Sequence, residues 1–146
     1  MGDFLEYWFK GFEKGIEELS ELEKSKVYAQ CGKACSDSYS REIYTGVWNK
    51  TKTISTFFHQ LSSEIQEISV KEITREREYE VIYHKCLCDL YTKGYMSNGS
   101  LCECSRQSLL YNLNSLWIDK DVKVELLDSI LRGGSECMLR ITIDNR

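Results

Sequence analysis

The sequence has no proline, only two histidines, and no apolar run approaching the roughly twenty residues a membrane span needs. Without proline, nothing forces a kink or a stop in any periodic segment, and element ends must be written by caps and turns. The net charge of −4 leaves no basic excess to displace counterions, which argues against a nucleic-acid-binding chain. Met1-Gly2-Asp3 leads straight into an amphipathic pattern, without a positive leader or small-residue cleavage site. The expected compartment is therefore cytoplasmic and reducing. No G-x-S-x-G, H-E-x-x-H or phosphate-binding glycine loop occurs.

Cysteine, in contrast, is abundant. Seven thiols is an odd number, and disulfides do not persist in a reducing compartment, so buried, metal-bound or reactive thiols are expected. Four fall in one window. Cys86-Leu87-Cys88 and Cys102-Glu103-Cys104 bracket the polar segment Asp89 to Leu101, with Gly94, Ser97, Asn98, Gly99 and Ser100 as its turn residues. Cys137 returns in the last apolar run, while Cys31 and Cys35 share a helical face farther upstream.

At 146 residues, with 42% hydrophobic and 29% charged residues, a single domain spanning 1–146 is expected. Residues 1–65 form its helical part. From Asp3 to about Gln30, Phe4, Leu5, Trp8, Phe12, Ile16, Leu19 and Val27 recur mostly at threes and fours, predicting a helix. Gly11 and Gly15 are either tolerated there or admit a neighbouring helix. The aromatic start, with Tyr7 and Phe9 beside Phe4, Trp8 and Phe12, is richer than one core helix needs and points to a homodimer contact. Ser36-Asp37-Ser38 reads as a helix end, and a second helical pattern runs from Ser40 to about Glu64.

Residues 66–146 form the sheet part. Ile68 and Val70, then Tyr79, Val81 and Tyr83, alternate with polar residues around Thr74–Glu78, predicting a β-hairpin whose second strand runs on into Cys86 and Cys88. That alternation puts His84 on their face. A helix from Cys104 to about Trp117 follows, its start set to depress the thiol pKa of Cys102 and Cys104 through the helix dipole. A second hairpin joins Val122, Val124 and Leu126 to Cys137, Leu139, Ile141 and Ile143 through Arg132–Ser135. The fold class is thus α+β: N-terminal helices, hairpin, helix, hairpin, giving a four-stranded antiparallel sheet with helices on one face.

Leu101-Cys102-Glu103-Cys104-Ser105, the strand Val122–Leu126, and Gly133-Gly134-Ser135-Glu136-Cys137 with its alternating tail resemble the 4-vinyl-reductase-like small-molecule-binding domains. Those domains share a fold with subunits of a Golgi transport tethering complex. The resemblance implies a zinc site at Cys102, Glu125, Asp128 and Cys137; Asp128 stands where the family has a cysteine, and Cys104, Cys86 and Cys88 are the thiolates that could substitute. It also implies an apolar pocket between sheet and helices, lined by Trp48, Phe57, Phe58, Tyr83, Tyr91, Tyr95, Leu113 and Trp117. On a regular strand, however, Glu125 faces away from Val124 and Leu126, whereas Cys137 shares a face with Leu139 and Ile141.

A weaker resemblance, in size and late cysteines, is to hydrolases of 2-amino-thiazoline carboxylates. The expected function is therefore a module that binds or senses a small apolar molecule, with a cysteine-bound structural zinc. The alternative is a hydrolase of a small cyclic or amide substrate that uses a reactive cysteine or a metal. His84 is a poor direct base for Cys86 or Cys88, because two strand residues span roughly 7 Å.

Overall fold

Side-chain caps, rather than any proline, divide the N-terminal half. The computed structural model describes residues 3–85 and 88–146. Helix α1, Phe4–Glu17, starts at Asp3, whose carboxylate accepts from Glu6 N at 2.9 Å. The single helix expected to about Gln30 is interrupted by a capping box. The Ser20 hydroxyl accepts from Glu23 N at 3.2 Å while the Glu23 carboxylate accepts from Ser20 N at 2.9 Å, and α2 runs Glu21–Cys35. Lys52, in the left-handed region at φ 66°, ends α3 (Arg41–Thr51), and Thr53 caps α4 (Ile54–Glu64).

The break expected at Ser36-Asp37-Ser38 does not occur. The chain passes from α2 into α3 through one π-helical turn, Ser36–Ser40. Its cause is a buried amide. Asn112, from α6 (Cys102–Leu116), accepts from the Ser36 hydroxyl and donates to Ser40 Oγ at 3.1 Å. A widened turn lets both hydroxyls reach one side chain, and it satisfies a polar group that would otherwise be costly to bury.

Strands β1 (Ile68–Thr74), β2 (Glu78–Tyr83), β3 (Lys120–Asp128) and β4 (Cys137–Asn145) form one antiparallel sheet in the order β1-β2-β4-β3. Both hairpins and the one-sided helical layer agree with the fold class read from the alternation. The inner face carries Ile68, Tyr79, Val81, Val122, Val124, Leu139, Ile141 and Ile143, all buried. Helix α4 lies beside β1, and α6 lies between α2 and β3. Phe57, Phe58, Leu61 and Leu113 fill the gap with no exposed surface.

A second, smaller core joins Ile16 and Tyr28 to Met96 and Leu101. It lies between α1, α2 and the segment that follows the one-turn helix α5 (Asp89–Thr92). Glu13 ties that segment to α1, accepting from Ser97 N at 3.0 Å and Asn98 N at 2.6 Å. The outer sheet face is mostly polar, with Ile82 and Met138 as apolar exceptions at one end. Lys71, Glu80, Arg140 and Glu125 stand in one cross-strand row of alternating charge, with Arg140 3.1 Å from Glu80. Among the described residues, no helix is long and apolar enough to cross a membrane.

Close helix approach occurs at Gly32 rather than at Gly11 or Gly15. A Cβ on Gly32 would stand 2.7 Å from Ser108 N and 3.0 Å from Cys104 O of α6, whereas one on Gly11 meets nothing within 4 Å. Gly32→Ala is therefore expected to destabilise the chain by about 1–3 kcal/mol through overpacking. Gly11→Ala should stabilise it by about 1 kcal/mol through helix propensity. Urea unfolding of the two variants measures this, and equal gains at both positions would mean that α2 and α6 do not meet as described.

Candidate functional site

The thiols of Cys102 and Cys137 converge on a single turn. Cys102 opens α6 after the 3₁₀ turn Gly99–Leu101, and its Sγ lies 2.9 Å from the buried hydroxyl of Ser129. Ile130 N, one residue on, donates to Cys137 Sγ at 3.4 Å. Cys137 opens β4 opposite Tyr83 on the inner face. The turn between them, Ser129–Gly133, is capped by Ser129 itself, whose hydroxyl accepts from Arg132 N at 3.2 Å. Asp128 accepts from Ser129 N and packs against Gly134, where a Cβ would have to displace the Asp128 carboxylate.

Cys104 faces elsewhere. Two residues on an α-helix are about 200° apart, so the Cys-x-Cys pair that looks compact in sequence diverges in space. Cys104 packs with Cys88 against the smaller core, among Tyr28, Met96 and Leu101. Its electrostatic neighbours are Cys35, Cys31 and Cys88. Cys86 lies outside the described residues, and so does the expected continuation of β2 through it, β2 ending at Tyr83.

Glu125 stands on the outer face opposite Arg140, across the sheet from Cys137. Strand alternation between Val124 and Leu126 requires this, and no bulge intervenes before Leu126. A zinc set containing both Glu125 and Cys137 therefore does not fit this sheet. Among the described residues, no three His, Cys, Asp or Glu side chains come together as a metal-holding group.

The helix dipole does not prevail at the start of α6. Burial pushes the Cys102 thiol up, and the Ser129 hydroxyl offsets only part of the effect. Burial also pushes Cys104 up to about 12, and the neighbouring thiols add to the shift. Both thiols are held protonated at neutral pH, because desolvation of a thiolate outweighs a partial charge at a helix end.

The eight residues expected to line a pocket fall in three places. Phe57, Phe58, Leu113 and Trp117 are buried together, with Trp48 half-buried at their edge. Trp117 is the hub: its ring centroid lies 5.2 Å from Phe57, 5.6 Å from Trp48 and 6.0 Å from Phe58. Tyr83 borders this core, and burial holds the phenol of Tyr44 within it well above its usual pKa. Tyr95 belongs to the smaller core, stacked on Phe9 at 5.5 Å, and Tyr91 is exposed.

Two features carried no sequence signal: the burial of Ser129 and the unpaired donor of Trp117. Ser129 is an ordinary serine until the turn buries it beside Cys102. Trp117 Nε1 is buried, and among the described residues it has no hydrogen-bond partner. Most buried polar groups are paired, and this indole donor is an exception.

No protein-family model matches the chain, and no curated protein does either. The motif resemblance to 4-vinyl-reductase-like domains thus has no counterpart there. Among solved structures, the chain is similar to a trafficking protein particle complex subunit 3 from Naegleria fowleri, crystallised covalently bound to palmitic acid. The TM-score is 0.49 and the identity 11%, covering 97% of this chain and 95% of that one.

The raised thiol of Cys104 has a consequence for stability. Below about pH 9 it is protonated in the folded and unfolded chain alike. Between pH 9 and about 12 the unfolded chain releases the proton first, so folding stability falls as pH rises through that window. Thermal melts from pH 8 to 11 should show a declining midpoint, and Cys104→Ala should flatten the decline. An equally steep decline in the variant would show that this thiol is not desolvated.

Proposed function

We propose that the chain binds a small, largely apolar molecule carrying one hydrogen-bond acceptor, in the aromatic layer between the sheet and helices α3, α4 and α6. The unpaired indole N–H of Trp117 carries this reading. A buried donor without a partner costs about 1–3 kcal/mol, and a ligand oxygen that accepts from it recovers that amount. The surrounding rings of Phe57, Phe58 and Trp48 supply apolar area but no competing acceptor. Since these rings already touch, entry requires one to move, and half-buried Trp48 is the one at the rim.

The hydrolase alternative needs an ionised thiol or a metal. Burial speaks against Cys102 and Cys104 as its nucleophile, since the thiolate is the attacking form. Zinc has no converged ligand set among the described residues, so the ligand-binding reading does without it.

A second copy of the chain is the partner we propose for α1. Phe4, Tyr7 and Trp8 are 74%, 64% and 52% exposed on a helix whose other residues include Phe9 and Phe12 packed on the smaller core. Leaving such aromatic area in water is unfavourable by about 25 cal/mol per Å². Sedimentation should show a dimer that Trp8→Glu dissociates; a monomer at concentrations up to 100 μM, as an order-of-magnitude threshold for a weak pair, would end this reading.

Ligand binding is tested with 2-nonanone, an apolar chain with one carbonyl, and with nonane as the acceptor-free control. In ¹⁵N–¹H spectra, the ketone should shift the Trp117 indole signal, identified by its loss in Trp117→Phe, and nonane should shift it less. Movement of the exposed Trp8 signal alone would sink the proposal.

A further inference from the structure

On the sheet face turned away from the helices, three side chains from neighbouring strand ends meet outside the region discussed so far. Ser69 belongs to β1, His84 directly follows β2, and Glu136 directly precedes β4. The register brings them together. Ile68 pairs with Tyr83 and Tyr83 with Cys137, and His84 N continues the ladder by donating to Glu67 O at 3.1 Å. Continued one step, the same register sets His84 across from Glu136 and diagonal to Ser69, and that diagonal is within reach of a long side chain.

The contacts have the order nucleophile, base, orienter. Ser69 Oγ lies 2.6 Å from His84 Nε2, and Glu136 Oε2 lies 3.3 Å from His84 Nδ1. A carboxylate beside Nδ1 favours the tautomer with its proton there, which leaves Nε2 free to accept from the serine hydroxyl. Ser69 and His84 have the nucleophile–base geometry of an activated serine, and Glu136 stands where an orienting carboxylate would, recognised by roles rather than by sequence position. Beside it, Ile82 is paired with Ser69 on one side and Met138 on the other, and both are half-buried. They form an apolar floor for a short acyl chain. The His84 and Glu136 side chains are 53% and 34% exposed, so a substrate reaches the site from solvent.

We propose that Ser69, His84 and Glu136 form an acyl-transfer site for short, uncharged carboxylic esters. Ser69 Oγ attacks the ester carbonyl carbon as His84 Nε2 takes the hydroxyl proton. The tetrahedral adduct collapses, the bond from carbon to the alkoxy oxygen breaks, and the alcohol leaves with the proton from Nε2. Water then adds to the acyl-serine, giving its proton to Nε2. Ser69 Oγ leaves the carbonyl carbon and is reprotonated by His84, so ester plus water becomes acid plus alcohol. Ser69 and His84 are the catalytic residues, and Glu136 is a positioning residue.

The test treats the full chain with an alkyl fluorophosphonate at neutral pH and maps the adduct by peptide mass spectrometry. Ser69 should be the labelled residue, and turnover of p-nitrophenyl butyrate should be lost in Ser69→Ala. His84→Gln should slow labelling on the order of 100-fold, the contribution of a general base. Glu136→Gln should slow it roughly 10-fold, at the low end of base catalysis, and Glu136→Asp should restore most of that loss because the carboxylate returns. Label on other residues only, or labelling of Ser69 at an unchanged rate in His84→Gln, overturns the proposal. The wild-type adduct map decides even if a variant does not fold.

Discussion

Helix α6 is the member on which the other elements close. It meets α2 where Gly32 leaves no room for a side chain, and it holds the π-helical turn open through Asn112. It reaches β3 through Arg106, whose Nη1 donates to Val124 O at 3.0 Å. Its inner side contributes Leu109 and Leu113 to the main core, and Trp117 follows at its end. Van der Waals packing at these contacts is unforgiving of volume change, so the position of α6 determines what every neighbouring side chain can touch.

The fate of the thiols follows from that position. One turn of α6 sends Cys102 toward the Ser129 turn and Cys104 toward α2 and the smaller core. Both lose water, and the cost of ionising a desolvated sulfur exceeds the help of the helix end. Cys102 and Cys104, two residues apart in sequence, thereby become separate, protonated thiols. The chemistry that their number advertised is muted by where the helix puts them.

The sheet divides the molecule differently. Its inner face is aromatic and aliphatic, closed by α4 and α6, and holds the Trp117 donor, unpaired among the described residues. Its outer face is lined by ion pairs such as Arg140 with Glu80, and at one end it carries the Ser69–His84–Glu136 contact. Period-two alternation makes this separation unavoidable: whatever is adjacent in sequence along a strand works on opposite sides of it.

Apolar periodicity by itself determined the two hairpins, the antiparallel sheet and the single helical layer, because burial of one face per element is written residue by residue. The same alternation already placed Glu125 opposite to Cys137. Helix boundaries were less legible. The Ser20 capping box and the αL residue Lys52 cut patterns that read as continuous, and the serine run at 36–40 was absorbed by an amide 72 residues away or more. The partners of His84, the hydroxyl beside Cys102 and the unsatisfied indole of Trp117 were decided only in three dimensions. Each depends on which distant side chains share a small volume, and local propensity contains no information about that.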